Sequence, residues 1–455
     1  MELIIKKFLP SLPADCTLHS KENKVQVCDA TMLNISNAAR YIKKYYVIKK
    51  ISLSFFCLII IFFANAQIDP SLLRRVPKDT SRPVMNMDAI YNRPALQIGK
   101  LPVSLGGYME VNWQHLGTDG ISEGHQFQFR RLTLFVSSTI SSRIKFLSEI
   151  EFEPAEKEIA IEFAAIDVEF DPLLNLRGGM IINPIGAFNQ NHDGPKWEFI
   201  DRPIAATQLL PATWSNAGFG LYGKYYKKDW MFGYEFYLSS GFNNSIIENN
   251  QNKTFLPAAK ENTERFEETA SGQPLVTAKI ALKNTKIGEI GLSYMGGAYN
   301  KFNDDGNIVD EKRRLDIVAV DFNATVKKTK TNLTGEWAWV FVDVPATYSE
   351  QFGSKQRGGF IDIVQPVIKK KILGWPGAVL NVACRLEYAD WNDGKFKSTG
   401  GNIGDELWSI MPAVSLRPNP QTVFRLNYRI LKQTDLLGNP PANTAGFSFG
   451  ISTYF

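Results

Sequence analysis

From residue 103 onward, apolar and polar positions alternate with a period of two. Ile144, Phe146, Ile150 and Phe152 interleave with Arg143, Lys145, Glu149 and Glu151, and Phe424, Leu426, Tyr428 and Ile430 interleave with Arg425, Asn427 and Arg429. Successive side chains of a strand point to opposite faces, so each segment carries one apolar and one charged face. Segments of this character fall at 103–114, 125–140, 142–153, 158–171, 173–183, 217–226, 229–240, 274–284, 286–300, 312–326, 331–343, 356–370, 378–390, 405–418, 421–432 and 443–455, sixteen in all. Each supplies the roughly 9–11 residues that a tilted membrane-spanning strand needs. In a soluble sandwich the apolar face would be core; in a membrane barrel it meets lipid and the charged face encloses water.

The connections separate the two. Tight links at Ser141, Asp171-Pro172, Lys227-Lys228, Asn284-Thr285, Lys327 to Lys330 and Pro418-Asn419-Pro420 alternate with long polar stretches such as Asn183 to Asn216, Gly241 to Pro274 and Asn300 to Glu311. Bacterial barrels sort short turns to the periplasmic end and long loops to the outside, whereas a sandwich has no reason to do so. The predicted fold class is therefore all-β, a transmembrane antiparallel β-barrel of about sixteen strands, spanning 103–455.

The segment ahead of it reads as an export leader. Lys43, Lys44, Lys49 and Lys50 precede the apolar run Ile51 to Phe63, which ends in Ala64-Asn65-Ala66 before Gln67. A charged region, an apolar region and a small-residue site make a secretory signal peptide, with cleavage expected between Ala66 and Gln67. Residues 1–66 form the leader, and residues 1–40 exceed its usual length, so translation is expected to start downstream, near Met32. Cys57 lacks the context of a lipidated cysteine. The stretch 67–102, poor in alternation, is expected to be a periplasmic extension or a partial plug ahead of the first strand.

Composition agrees with this division. The chain has 51 Lys and Arg against 46 Asp and Glu; the leader holds 9 and 4 of them, leaving 42 of each downstream. A neutral body excludes a general nucleic-acid binder. Cys384 alone remains after cleavage, so no intrachain disulfide forms and stability must come from a core or from the membrane. Cys16, Cys28 and His19 match no zinc spacing, and Asn303 to Asn307 lacks the ligand spacing of a calcium loop. No metal and no cofactor is expected.

The final segment places Phe447, Phe449, Ile451 and Phe455 on one face. An apolar alternating strand ending in Phe resembles the signal by which the barrel assembly machinery recognises its clients, with Phe455 as its terminal element. Trp113, Trp230, Trp391 and Trp408 lie near segment ends, as an interfacial girdle requires.

Phe127 to Glu153, with Phe129-Arg130-Arg131-Leu132 followed by Arg143-Ile144-Lys145-Phe146, resembles the opening strands of the phosphate-selective porin O and P family. So does Ala165 to Gly223, where Leu176-Arg177-Gly178-Gly179-Met180 leads to Asn183-Pro184-Ile185-Gly186 and Phe199-Ile200-Asp201-Arg202-Pro203. The resemblance covers roughly Gly106 to Gly223. It implies an outer-membrane channel of a Gram-negative bacterium, usually a homotrimer in outer-membrane lipid, that passes small anions by diffusion past lumen-facing basic residues. The chain departs from the family at Thr133, where another Arg is common.

Alternation nominates those residues. If Leu132, Leu134 and Val136 face lipid, Arg131 faces inward, and the same rule nominates Arg143, Lys145, Arg177, Lys279, Arg385, Arg425 and Arg429. Burying Arg or Lys against lipid at the midplane costs roughly 2–4 kcal/mol, which favours the inward assignment. Glu149, Glu151, Asp167, Glu169 and Glu387 share these faces and would cancel much of the field, leaving a modest anion preference. The long segment 184–216 is expected to fold inward as a constriction loop presenting Asp193, Lys196, Asp201 and Arg202, anchored by Trp197 and Trp214. Gly241 to Pro274 reads as a solvated loop.

Catalytic signals are sparse: His115 and His125, taken to flank the first outer loop, have no nucleophile in a recognisable context. The expected function is a porin giving passive diffusion of small hydrophilic solutes, such as phosphate, and not an enzyme. The competing classes are a non-conducting structural or adhesive barrel with a plugged lumen and, behind it, a barrel hydrolase using His115 and His125.

Overall fold

The computed structural model describes residues 85–91, 93, 103–153 and 158–455; the leader with its Ala66/Gln67 junction lies outside them. The strands are β1 (Val103–Thr118), β2 (Ile121–Ser141), β3 (Ile144–Glu153), β4 (Glu158–Asp171), β5 (Leu174–Ile182), β6 (Ser215–Lys227), β7 (Trp230–Ser239), β8 (Leu275–Asn284) and β9 (Gly288–Ala298). A two-stranded hairpin, β10 (Asn303–Asp304) and β11 (Asn307–Ile308), stands in an outer loop where Asp305-Gly306 forms the turn. The series continues with β12 (Arg314–Thr325), β13 (Asn332–Val342), β14 (Lys355–Lys369), β15 (Val379–Asp390), β16 (Glu406–Asn419), β17 (Thr422–Gln433) and β18 (Ala442–Tyr454). Apart from β10 and β11, every strand pairs antiparallel with its neighbours, and β1 pairs with β18, closing a sixteen-stranded barrel.

Closure removes the unpaired edge that an open sheet would leave in hydrocarbon. Outward positions carry Phe127, Phe219, Ile280, Ile290, Trp339, Leu386, Ile410, Leu426 and Phe449, all exposed and apolar. Inward positions carry Glu110, Glu149, Asp167, Arg177, Lys279, Asp321, Glu336, Asp362, Arg385 and Arg425. An apolar exterior around a charged interior is the arrangement a bilayer selects, and the protein is a barrel of the outer membrane.

The first outer connection is shorter than the sequence suggests. β1 and β2 run on to Thr118 and Ile121, joined by the two-residue turn Asp119-Gly120, both at positive φ. His115 and His125 are thus direct cross-strand partners with rings stacked at 4.5 Å, not the two ends of a loop.

A barrel of this size would leave its inner wall wet, yet the inner wall here is almost wholly buried. The filling is the chain itself. Residues 85–91 with Arg93, the insert between β5 and β6, and the connection between β7 and β8 occupy the interior. The last of these corrects the expectation of a solvated loop: Phe242, Ile246, Ile247, Leu256 and Ala259 join Ile185, Leu209, Leu210 and Trp214 in a buried apolar cluster. That cluster packs on the inward Leu315, Ile317, Val340 and Val342 of β12 and β13. Part of the lumen is therefore a hydrophobic core, although Lys279, Glu289, Asp321 and Glu336 point inward from the same strands, and a further charged cluster lines the wall from β17 through β18 and β1 to β3.

Candidate functional site

The insert between β5 and β6 is a loop with its own internal hydrogen bonds. Asn189 closes its neck, donating to the carbonyls of Asn183 and Trp214 and accepting from Trp214 N–H at 2.7 Å. Its free backbone donors are taken by carboxylates on the wall. Glu336 accepts from Ala187 N–H at 2.7 Å and Phe188 N–H at 2.9 Å, and Glu387 accepts from Ile204 N–H at 2.8 Å. Buried backbone donors must be paired, so these contacts fix where the loop sits. Gly186 is required at the first of them: its φ is +64°, and a Cβ would lie 2.4 Å from a Glu336 carboxylate oxygen.

Residues 85–93 are the second stopper. Asn86 N–H donates to Glu289 and its side chain to Asp321; Asp88 pairs with Lys224. Arg93 enters a socket formed by Glu149 of β3 and Asp193 of the insert, at 2.6 and 2.7 Å, with its guanidinium 3.6 Å from the Phe135 ring centroid. His192 shares the socket: Nδ1 faces the Asn189 carbonyl at 2.8 Å and Nε2 faces the Glu149 carboxylate at 3.2 Å. Both ring nitrogens meet acceptors, which is the pattern of the doubly protonated imidazolium. Burial alone would lower the His192 pKa, but the carboxylates of Glu149 and Asp193 outweigh it and raise it. For Asp193 burial opposes ionisation, and Arg93 with Lys196 holds the carboxyl well below the usual range. Glu149, His192 and Asp193 together offer three metal-type donor atoms within 4.8 Å, but the Arg93 guanidinium already pairs with both carboxylates.

Between the stoppers and the β17–β3 wall lies an arginine-rich crevice, lined by Glu110, Arg131, Asp201, Arg202 and Arg425 among others. It leaves about 10 Å³ for the centre of a water molecule, roughly one water's worth. Arg130 and Arg131 both project into the interior because a β-bulge interrupts the register between Glu110 and Val111, setting two residues of β2 on the same side. Arg130 meets Asp201 at 2.6 Å, Arg429 meets the same carboxylate at 3.2 Å, and Arg131 stands 3.5 and 3.6 Å from Glu110 and Glu151. Although burial opposes it, Arg429 and Arg130 hold the Asp201 carboxyl below its ordinary range. Arg202 approaches Glu151 at 3.9 Å.

The other nominated residues are dispersed. Arg177 forks onto Asp167 at 2.7 and 2.9 Å; Lys279 pairs with Asp321 at 2.8 Å; Arg385 forks onto Asp362 at 2.7 Å and donates to the Asp201 carbonyl. Arg425 donates to Glu110 at 2.9 Å and to the Phe199 carbonyl at 2.7 Å. Lys145 pairs with Glu169. Lys196 bonds to the Ala89 carbonyl and Asp193. Arg143 is a correction: it sits in the exposed turn Ser142-Arg143, beyond the end of β3, so alternation does not govern it. Trp391 is another, being buried with its indole N–H on the Gln208 carbonyl, whereas Trp230 and Trp408 face outward. Alternation does not nominate Arg93, Arg130 or the Glu198–Arg417 pair at 2.6 Å. Phe455 exchanges backbone hydrogen bonds with Gly107 and lays its ring there.

No family model matches the chain. Over 131 residues it is 36% identical to an uncharacterized protein of Aquifex aeolicus (strain VF5), a match covering 27% of this chain and 30% of that protein, so less than a third of the relative's length is spanned. Among solved structures it is similar to an anion-selective porin from Comamonas acidovorans, at 13% identity and a TM-score of 0.48 over 78% of this chain and 99% of that one. The outer membrane channel DcaP of Acinetobacter baumannii gives 11% identity and 0.48 over 78% and 97%. At these scores, fold and location rest on the closed barrel and its apolar exterior.

Proposed function

We propose that this protein is an outer-membrane channel for small hydrophilic solutes with a modest preference for anions, and that the conformation described is closed. The observation carrying this is the β17–β3 wall, where a crevice lined by Glu110, Arg131, Asp201, Arg202 and Arg425 adjoins Arg130 and Arg429, which pair with Asp201, and Glu151, which stands beside Arg131 and Arg202. A positive surplus around this crevice favours anions. The crevice holds about one water, and residues 85–91, Arg93 and the insert fill the lumen beside it, so conduction requires one of these segments to move. The stoppers are held inside the barrel by buried ion pairs and hydrogen bonds and also by apolar contacts, such as Ile90 in one cluster with Phe135 and Phe199 in another with Met411. Membership of the phosphate-selective porin O and P family, phosphate as a solute and a homotrimeric state belong to this proposal and rest on the sequence resemblance.

The apolar cluster on β12 and β13 favours a second reading, a permanently plugged barrel that anchors its outer loops. Planar-bilayer recording separates the two. A channel gives steps, rare for the native chain and frequent for Arg93→Ala, with a reversal potential on the anion side in a salt gradient. Silence from both proteins overturns the channel.

A further inference from the structure

The short-turn end of the barrel is strongly and unevenly charged. The turn between β6 and β7 carries exposed Lys227 and Lys228, and the turn between β8 and β9 carries Lys286. The turn between β12 and β13 adds Lys327, Lys328 and Lys330, and that between β14 and β15 adds Lys369, Lys370 and Lys371. The acid among these turns is Asp229, which pairs with Lys286. On the other arc, the turns at Ser142-Arg143, Pro172-Leu173 and Pro420-Gln421 show no such run.

The lysines stand at a defined depth. Beside them Trp230 at the start of β7 and Ile368 near the end of β14 are exposed, as are Ile287, Val326 and Trp375 within the turns, with the Trp375 ring 6.2 Å from that of Phe424 on β17. Aromatic and aliphatic side chains at strand ends mark the boundary between hydrocarbon and headgroups. Ammonium groups one or two residues beyond that boundary lie among lipid phosphates, with their stems along the apolar rim. A run this basic, with Asp229 as the one acid among these turns, attracts an anionic surface.

We propose that the periplasmic rim from β6 to β15 is a binding surface for anionic phospholipid headgroups of the inner leaflet, with phosphatidylglycerol as the probe. A soluble periplasmic polyanion is the competing occupant. The proposal is independent of whether the lumen conducts.

The test uses the folded full-length mature barrel in detergent, equilibrated with equal amounts of phosphatidylglycerol and phosphatidylethanolamine and washed before the retained lipids are quantified. The native chain is expected to retain the anionic lipid by roughly fivefold or more, less in high salt. Replacing Lys327, Lys328, Lys330, Lys369, Lys370 and Lys371 by Gln should abolish the preference, and Arg at the same positions should restore it. Heat-modified gel mobility confirms that each variant is folded. Equal retention of the two lipids by the native chain, or an unchanged preference in the Gln variant, overturns the proposal. Salt-sensitive capture of soluble polyglutamate without lipid preference overturns it as well, and gives the surface to the competing occupant.

Discussion

The guanidinium of Arg93 clasps the Asp193 carboxylate through two hydrogen bonds, Nε to Oδ2 at 3.0 Å and Nη2 to Oδ1 at 2.7 Å. The bond joins two stretches 100 residues apart, one ahead of the first strand and one in the insert, and both then lean on Glu149. The two stoppers are thus one assembly with a common fastening on β3. Tyr454 of β18 adds a donor to Asp193 at 2.7 Å, linking the fastening to the strand that closes the barrel.

Arg93→Ala should release that fastening. Removing one partner of a buried ion pair costs roughly 3–5 kcal/mol because the other charges are left unpaired. Here Glu149 and Asp193 lose the guanidinium and keep His192 and Lys196 as cationic partners, and residues 85–91 should leave the lumen while the wall stays folded. The expected outcome is faster proteolysis within residues 85–93 with an unchanged heat-modifiable barrel band. Arg93→Lys, which keeps the charge without the fork, should fall between the two.

Alkaline pH should act in the same direction. The unfolded-chain value of a histidine is about 6.5, and the folded value of His192 is raised by Glu149 and Asp193 against the opposing effects of burial and Arg93. Its contribution to docking is therefore complete below about 6.5 and is lost as pH rises through the raised folded value. The groups facing it are Glu149 on β3, Asp193 and the Asn189 carbonyl on the insert, and Arg93. Protease sensitivity of residues 85–93 should increase with alkalinity in the native chain. The increase should vanish in His192→Gln, which is already loosened at every pH.

Arg385 and Asp362 test the wall. Their forked pair is buried across neighbouring strands, and Arg385→Leu alone should destabilise the barrel by roughly 3–5 kcal/mol. Arg385→Leu with Asp362→Leu should recover much of that loss, since no buried charge remains unpaired. The urea midpoint of refolded protein in detergent reads both. By contrast Lys397→Ala, whose partner Glu350 is 3.7 Å away at an exposed site, should shift it by less than about 1 kcal/mol.

The sixteen strands are legible because lipid and lumen impose opposite demands on successive residues, and Phe424 to Ile430 records both. Inward charge is legible for the same reason at Arg177, Lys279 and Arg385. What alternation cannot convey is anything that breaks period two. Arg130 turns inward at a bulge, and Arg143 lies past the strand end. Leu315 and Ile317 face the lumen while Val318 and Val320 face lipid, so both sides of β12 are apolar and its inner face gives no sign of water or plug. The socket of Arg93 joins segments with no local pattern in common, and only the folded chain brings them together.

Selectivity is best probed at Arg130 and Arg429, which converge on Asp201 and are only partly buried, so they can be neutralised without orphaning a deep carboxylate. Arg425 is a poorer probe, since it is 1% exposed and holds Glu110. In the Arg93→Ala background, where steps are frequent, Arg130→Gln with Arg429→Gln removes two of five arginines facing three carboxylates. The surplus of positive charge is thereby cancelled, and the reversal potential in a salt gradient should move from the anion side to near zero or beyond. Asp201→Asn should move it the other way, since it deletes the carboxylate both arginines share. High salt should shrink both shifts, because mobile ions screen charges that are only partly buried. A reversal potential unmoved by either change would place the permeation path away from this wall.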